Sequence, residues 1–296
     1  MFKVRSSNDI SEISRFISEM NSQSKHHIGY CGTEAVEIEH TLLNDFSDLA
    51  FEESFLCAYE GESLIGVLGL DYDKDSTEAE LWGPFISNNN WQEVANLLWD
   101  TMLKNFLFPL RRIYGFYNVE NLAGKWFMEL QGAKFEGEHS FMTIPSRNVS
   151  LNQSTTITIN EMQDDYIKEF KALHEQEFPN TYFSAEEIIS RQGEEQKLFI
   201  AVEQQQFYGY VFCEVTPEFG EGDIHFLAVS STARKKGVGT QLLKKCLEFF
   251  SSFKTIKEIT LSVKSDNQAA LKVYLNAGFY EKHRLKFFSL DRQKTS

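Results

Sequence analysis

The chain has 296 residues, 42% hydrophobic and 24% charged, which excludes disordered and fibrous classes and leaves room for two ordinary domains. Its formal net charge of −14 argues against a general nucleic-acid binder. The acidity is uneven: residues 1–150 hold 11 Lys+Arg against 23 Asp+Glu, and residues 151–296 hold 18 against 20.

The amino terminus, "MFKVRSSNDISE", turns polar too soon for a signal peptide, and no apolar run approaches the ~18 residues of a membrane span. The four cysteines, Cys31, Cys57, Cys213 and Cys246, are scattered without a C-x-x-C pair, so no metal or redox centre is expected. A cytoplasmic protein with no membrane partner is the expectation. His26-His27 has no third ligand at useful spacing and is expected to be a surface pair.

Further on, "FLCAYEGESLIGVLGL" (55–70) is an apolar strand, a polar turn and a second strand, and "FIAVEQQQFYGYVFCEV" (199–215) repeats the plan. Ala58 matches Ala201 and Gly66 matches Gly209, both at an offset of 143. At the same offset "ELWGPFIS" (80–87) faces "DIHFLAVS" (223–230), both strands. Later, Asn121 and Gly132 in "ENLAGKWFMELQGAKF" match Asn267 and Gly278 in "DNQAALKVYLNAGFYE" at an offset of 146. One supersecondary plan is used twice, over 1–147 and 158–296, joined by a polar linker at 148–157. All four Trp lie in the first copy and are expected in its core.

In the second copy, "FSAEE" sets Ser184 three residues before Glu187, a capping box that starts a helix. After the strand "DIHFLAV" comes "SSTARKKGVG" and then a helix whose apolar stripe is Val238, Leu242, Leu243, Cys246, Leu247 and Phe250. Arg234, Lys235 and Lys236 precede Gly237 and Gly239, so cations and Cβ-free backbone meet at a helix amino terminus, where anions settle. The stretch is no Walker A loop, because G-x-x-x-x-G-K is absent, and it lacks the third glycine of a dinucleotide fingerprint. The corresponding "SNNNWQEVAN" of the first copy has no glycine and no cation.

"LAVSSTARKKGVGTQLL" resembles the signature of the GNAT superfamily of acyl-CoA-dependent N-acyltransferases, Arg/Gln-x-x-Gly-x-Gly/Ala, here Arg234 to Gly239. "SDNQAALKVYLNAGF" resembles the same family's Asn-x-x-Ala and Tyr-x-x-x-Gly-Phe element. The resemblance implies α/β (α+β) architecture: two tandem GNAT-like domains, each a mixed, mostly antiparallel sheet flanked by helices. It implies acetyl-CoA as co-substrate, with no metal. The CoA pyrophosphate is expected on Arg234, Lys235, Lys236, Gly237, Val238, Gly239 and Thr240, and the pantetheine arm along Leu227, Ala228 and Val229. Many members carry glycine directly after the Arg; Lys235 stands there instead, which leaves the backbone path in question.

Asn267 is expected to cap a helix on which Ala270 allows close ligand approach and Tyr274 protonates the departing thiolate. Seven residues after Asn121 stands Met128, which cannot donate a proton, so the first copy reads as degenerate and without CoA. The reaction expected is acyl transfer from acetyl-CoA to a primary amine by direct attack. Asp223 is the first candidate for the base, then Glu221 and His225. A backbone N–H near Val229 is expected to stabilise the oxyanion. Phe183 to Arg191 is expected to border the acceptor. The alternative is a non-catalytic acyl-CoA binding or sensing module, against which Tyr274 speaks; an ATP-binding loop is disfavoured. The acceptor stays open among polyamine, aminoglycoside, amino acid and protein amino terminus. The tandem arrangement favours a monomer.

Overall fold

The computed structural model describes residues 2–148, 157–179 and 181–292. The chain divides into two compact units, one of residues 1–139 with 283–296, the other of residues 140–282.

In the first unit the strands are β1 (Phe2–Arg5), β2 (Phe55–Glu60), β3 (Ser63–Asp73), β4 (Glu78–Ile86) and β5 (Arg112–Asn118). They lie in that order, and the 283–291 part of β12 (Tyr280–Asp291) follows β5. The β4–β5 pair is parallel; β1–β2, β2–β3, β3–β4 and β5–β12 are antiparallel. Gly61, at φ 62°, closes the β2–β3 hairpin. Helices α1 (Ile10–Asn21), α2 (Ala35–Asn44), α3 (Phe51–Ser54), α4 (Trp91–Asn105) and α5 (Leu122–Leu130) flank the sheet. Asp9 starts α1 by accepting from the Glu12 N–H at 2.9 Å, and Ile13, Ile17 and Met20 form its buried stripe.

The second unit repeats the plan with β7 (Thr158–Glu161), β8 (Gln196–Glu203), β9 (Gln206–Thr216), β10 (Glu221–Val229) and β11 (Glu258–Lys264), after which comes the 140–145 part of β6 (Lys134–Pro145). Again one pair, β10–β11, is parallel, and β7–β8, β8–β9 and β9–β10 are antiparallel. Its helices are α6 (Ile167–Glu177), α7 (Ala185–Arg191), α8 (Val238–Ser251) and α9 (Gln268–Asn276). The sheet separates two cores. One, against α8 and α9, includes Val211, Cys213, Ile224, Leu242, Cys246 and Tyr274. The other, against α6 and α7, includes Phe170, Ile188, Tyr210, Phe212, Phe226 and Ala228.

The units do not follow the division at 148–157. The 140–147 segment belongs with the second unit, where the Thr143 hydroxyl donates to the Ile259 carbonyl at 3.2 Å and the Ser146 N–H to that of Lys257 at 2.8 Å. Residues 283–291 belong with the first, as antiparallel partners of β5. Positions 149–156 of the expected linker lie outside the described residues.

Two smaller expectations change. His27 is buried rather than on the surface: its Nδ1 lies 2.9 Å from the Asn21 carbonyl and its ring stacks on His283 at 3.9 Å. Trp82 and Trp99 are core residues, whereas Trp126 is 37% exposed. Among the described residues no helix is long and apolar enough to cross a membrane, and no group of three or more His, Cys, Asp or Glu side chains is placed to hold a metal ion.

Candidate functional site

Strand β10 carries most of the candidates, and a bulge decides which way they face. Its register against β9 runs from Glu221↔Thr216 to Ile224↔Cys213, skips His225, and resumes at Phe226↔Phe212. Before the bulge Ile224 packs toward α8; after it Phe226 and Ala228 pack toward α6 and α7. One extra residue therefore inverts the alternation and turns Leu227 and Val229 to the α8 side. Ala228 lies on the face opposite Leu227 and Val229, so the three do not present their side chains together. The parallel β10–β11 ladder covers only Glu221–Ile224 against Glu258–Leu261. His225 is thus the first residue beyond the last β10–β11 pair.

From Val229 the chain passes through a single 3-10 turn, Ser231–Ala233, into the basic loop. Arg234 is held twice, its Nε donating to the Val229 carbonyl at 3.2 Å and its guanidinium pairing with Glu177 at 2.7 Å. Its role here is to anchor the loop to the end of α6. Lys235 takes φ 64°, the left-handed conformation that glycine favours, so the lysine follows the path its position demands at an energetic cost. Lys235, Lys236 and Thr240 are exposed. Gly237, at φ 81°, is the N-cap of α8, and no side chain caps the helix. Its first-turn N–H groups and partial positive charge are available to an anion. Val238 is 1% exposed and packs in the core, so only its backbone faces the loop. At Gly239 an added Cβ would meet Val229 Cγ2 at 3.6 Å and Leu227 Cδ2 at 3.7 Å, ordinary contacts.

Helix α9 is capped by Asn267, whose side chain accepts from the Ala270 N–H at 3.1 Å. Asn267 is exposed and Ala270 half-buried, whereas Tyr274, two turns on, is 6% exposed among the α8–α9 core residues. Tyr274 meets Phe279 edge-on at 6.0 Å. Burial, then the nearby Cys246, pushes its phenol well above the usual tyrosine range, so it carries its proton at neutral pH.

On the other face, Asp223 stands opposite Glu214 on β9 and Thr260 on β11. The Thr260 hydroxyl donates to its carboxyl, and burial raises its pKa. Glu221 lies at the start of β10, opposite Thr216 and beside Glu258. His225 joins a chain that includes residues outside the expected set. Its Nε2 lies 3.0 Å from Glu214, and its Nδ1 3.1 Å from the Tyr182 hydroxyl. Glu214 also accepts from Gln196 Nε2 at 2.7 Å. The His225 bond, with help from Gln196 and Arg191, holds Glu214 below the usual carboxylate range despite burial. Phe212 stacks on the His225 ring at 5.4 Å. The Ser184–Glu187 capping box starts α7, and Phe183 lies 5.6 Å from the His225 ring. Tyr182, Glu214 and Gln196 gave no motif in the sequence. The signal that could have found Glu214 is the repeat itself, since Asp71 faces Glu80 across β3–β4 as Glu214 faces Asp223.

The first unit shows what the scaffold is without this equipment. Asn121 caps α5 as Asn267 caps α9. Met128 replaces Tyr274, Trp82 replaces His225, and β4 runs through Ser87–Asn90 directly into α4. A groove of about 890 Å³ opens there, lined by residues that include Asn89, Trp91, Glu93, Leu122 and Trp126. It has no lysine, arginine or glycine in its lining, and Glu93 in the first turn of α4 opposes an anion. None of the candidate residues lines it.

Residues 159–279 match the family described as Acetyltransferase (GNAT). A stretch of 93 residues, 30% of this chain, is 34% identical to N-alpha-acetyltransferase 30 of Xenopus laevis, covering 34% of that protein. A 96-residue stretch is 30% identical to the protein of the same name from Schizosaccharomyces pombe, covering 63% of it. The chain thus matches about a third of the length of the Xenopus relative. At the level of fold, a GCN5-related N-acetyltransferase from Sphaerobacter thermophilus superposes with a TM-score of 0.74 at 16% identity, over 98% of this chain and 95% of that one. A tandem GNAT protein from the clavulanic acid biosynthesis pathway superposes with a TM-score of 0.65 at 13% identity, over 100% of both chains.

Proposed function

From the premise that residues 159–279 are a GNAT acetyltransferase domain, we propose that the second unit transfers an acetyl group from acetyl-CoA to a primary amine by direct attack. The observation that carries this reading is the uncapped amino terminus of α8. It follows a left-handed Lys235 and Gly237, and a Cβ added at its Gly239 would meet Leu227 and Val229 on the face where Tyr274 is buried. The first-turn N–H groups of α8, with Lys235 and Lys236, hold the pyrophosphate of the co-substrate. Leu227 and Val229 border its pantetheine arm, and Arg234 keeps the loop in place through Glu177.

The amine must lose a proton to attack, and the candidate bases lie on β10. As the carbon–sulfur bond breaks, Tyr274 gives its phenolic proton to the departing thiolate; a tyrosine carries that proton at neutral pH whether or not burial raises its pKa. The backbone N–H at Val229 stabilises the charge on the carbonyl oxygen. The relatives' names favour an α-amino group of a peptide as acceptor. The first unit keeps the scaffold without loop, histidine or tyrosine and takes no part in the transfer.

The test is CoA release from acetyl-CoA with a panel of peptide α-amines, polyamines and aminoglycosides. Peptide-dependent release that falls at least 10²-fold in Tyr274→Phe, with acetyl-CoA affinity retained, is the expected result. Acetyl-CoA binding with no turnover on any amine would replace transfer by a binding or sensing role.

A further inference from the structure

Three groups on the α6–α7 face of the second unit form one hydrogen-bonded line, Tyr182–His225–Glu214, with separations of 3.1 and 3.0 Å. We propose that His225 receives the amine proton, that the Tyr182 hydroxyl hands it over, and that Glu214 is the residue that positions the ring. The inference rests on the acetyl-transfer reading and deepens it, because it moves the base from Asp223 to a three-residue relay.

Bonding fixes the tautomer. A carboxylate has no proton to give, so His225 Nε2 donates to Glu214 and the lone pair of Nδ1 accepts from the Tyr182 O–H. Each member is held from behind. Gln196 donates to the other oxygen of Glu214 at 2.7 Å. Phe212 stacks on the imidazole. The segment carrying Tyr182 is pinned at the next residue, where the buried His174 donates from Nε2 to the Phe183 carbonyl at 2.9 Å; its Nδ1 faces the Tyr210 hydroxyl at 2.6 Å. Tyr182 itself is 61% exposed, so the outer end of the line meets solvent and an incoming amine, while His225 and Glu214 are half-buried.

Position selects His225 over its neighbours. The β10–β11 ladder closes at Ile224↔Leu261, and His225 is the bulged residue that follows, beside the part of β10 that carries Leu227 and Val229. Asp223 lies inside the ladder between Glu214 and Thr260 and already accepts the Thr260 hydroxyl. The internal repeat supplies the control. The first unit retains the carboxylate pair, as Asp71 and Glu80, but has Trp82 where His225 stands, and indole takes up no proton.

The step balances. One amine proton passes to the Tyr182 oxygen while the Tyr182 proton passes to His225 Nδ1; the C–N bond forms, the C–S bond breaks, and the thiolate is protonated by Tyr274. The imidazolium so formed faces Glu214 and later releases its proton to water, from which Tyr274 is also reprotonated. The charged and titratable groups that face His225 include Glu214 on β9, Tyr182 before α7 and Asp223 on β10; behind them Arg191 at the end of α7 acts on Glu214, Glu258 on β11 acts on Asp223, and His174 on α6 bonds the residue after Tyr182.

Two readouts on the full chain test the relay. In ring-¹⁵N histidine spectra, assigned with His225→Gln, wild type is expected to show His225 protonated on Nε2 alone at alkaline pH, and Glu214→Gln to mix the two tautomers. In steady-state assays with acetyl-CoA and the best peptide amine, Glu214→Gln is expected to lower kcat with KM for acetyl-CoA unchanged, and Glu214→Asp to recover part of it. Tyr182→Phe and His225→Gln are expected to lower kcat ~10²-fold with KM for acetyl-CoA unchanged. An unmixed Nε2-protonated His225 in Glu214→Gln, or full turnover in His225→Gln, overturns the relay and leaves acetyl transfer standing. Absence of turnover in wild type overturns acetyl transfer, and the relay with it, whatever the spectra show.

Discussion

Asn121 and Asn267 hold nearly the same backbone conformation, φ −78° and ψ 73° against φ −78° and ψ 71°, and each accepts from the N–H three residues on. Each starts a nine-residue helix, and each helix is followed by a left-handed glycine, Gly132 or Gly278. Their surroundings differ. Asn121 is 5% exposed and also donates to the His27 carbonyl at 3.3 Å, whereas Asn267 is exposed. Asn267→Ala is expected to cost about 1 kcal/mol, the ordinary loss of a cap. Asn121→Ala is expected to cost more, about 2 kcal/mol, because it also removes a buried hydrogen bond to the His27 carbonyl, which then keeps only that from the Asn118 N–H. Urea denaturation of the two variants measures the difference, and equal losses would refute it.

Lys235 holds a conformation that an L side chain resists, with φ 64°. Lys235→Gly is expected to stabilise the chain by about 0.5–1 kcal/mol net of the greater freedom glycine has when unfolded. The loop path stays the same, since Gly237 and the Arg234–Glu177 pair hold its two ends. Under the acetyl-transfer reading, acetyl-CoA affinity falls modestly because one cation is lost. A denaturation midpoint at or below that of wild type would show that the lysine gains more from its setting than its backbone loses.

The repeat could be read from the chain because its markers are local: a cap residue, a terminal glycine and an apolar stripe each announce an element within a few positions. Asn267, Gly278 and the Val238–Phe250 stripe all stand where that logic puts them. What stayed hidden depends on partners distant in sequence. Arg234 meets Glu177, 57 positions away, and Tyr182 meets His225, 43 away. Glu214 becomes a partner of His225 only through the β9–β10 register and its bulge. The allocation of β6 and β12 was hidden for a different reason. "KFEGEHSFMTIP" and "YEKHRLKFFSLD" both begin polar and end apolar, and a strand's pattern states which face is buried, not which sheet it joins.

Glu80 sits opposite Asp71 in the first unit. Burial, then the charge of Asp71, pushes its pKa up to about 8, and burial raises that of Asp71 to about 6. A carboxyl whose folded pKa lies above its unfolded value binds the proton more tightly when folded, so stability is highest below the unfolded pKa and falls as pH rises toward the folded one. Stability is therefore expected to decline between about pH 4.5 and 8, with Glu80→Gln flattening the decline and raising stability at pH 8. Thermal melts of both chains across that range check the sign. A Glu80→Gln curve parallel to wild type would mean that Glu80 stays charged throughout.

Gly239 separates folding from binding more cleanly than any other position in the loop. Its backbone is not in the left-handed region, and an added Cβ would meet Val229 and Leu227 at 3.6 and 3.7 Å, so neither conformation nor packing requires glycine. Alanine in the first turn of α8 is expected to raise stability by a few tenths of a kcal/mol, since glycine is the poorer helix former. If the co-substrate lies against the α8 amino terminus, the same methyl group projects toward Leu227 and Val229, which border the pantetheine arm, and acetyl-CoA affinity is expected to fall at least tenfold. Gly237→Ala separates backbone strain from crowding: an added Cβ meets nothing within 4 Å, but φ is 81°, so it is expected to lower stability by about 1 kcal/mol. Calorimetric titration with acetyl-CoA, beside urea denaturation of the same samples, reads both quantities. Gly239→Ala with unchanged affinity would mean that the co-substrate does not lie between α8 and the Leu227–Val229 part of β10.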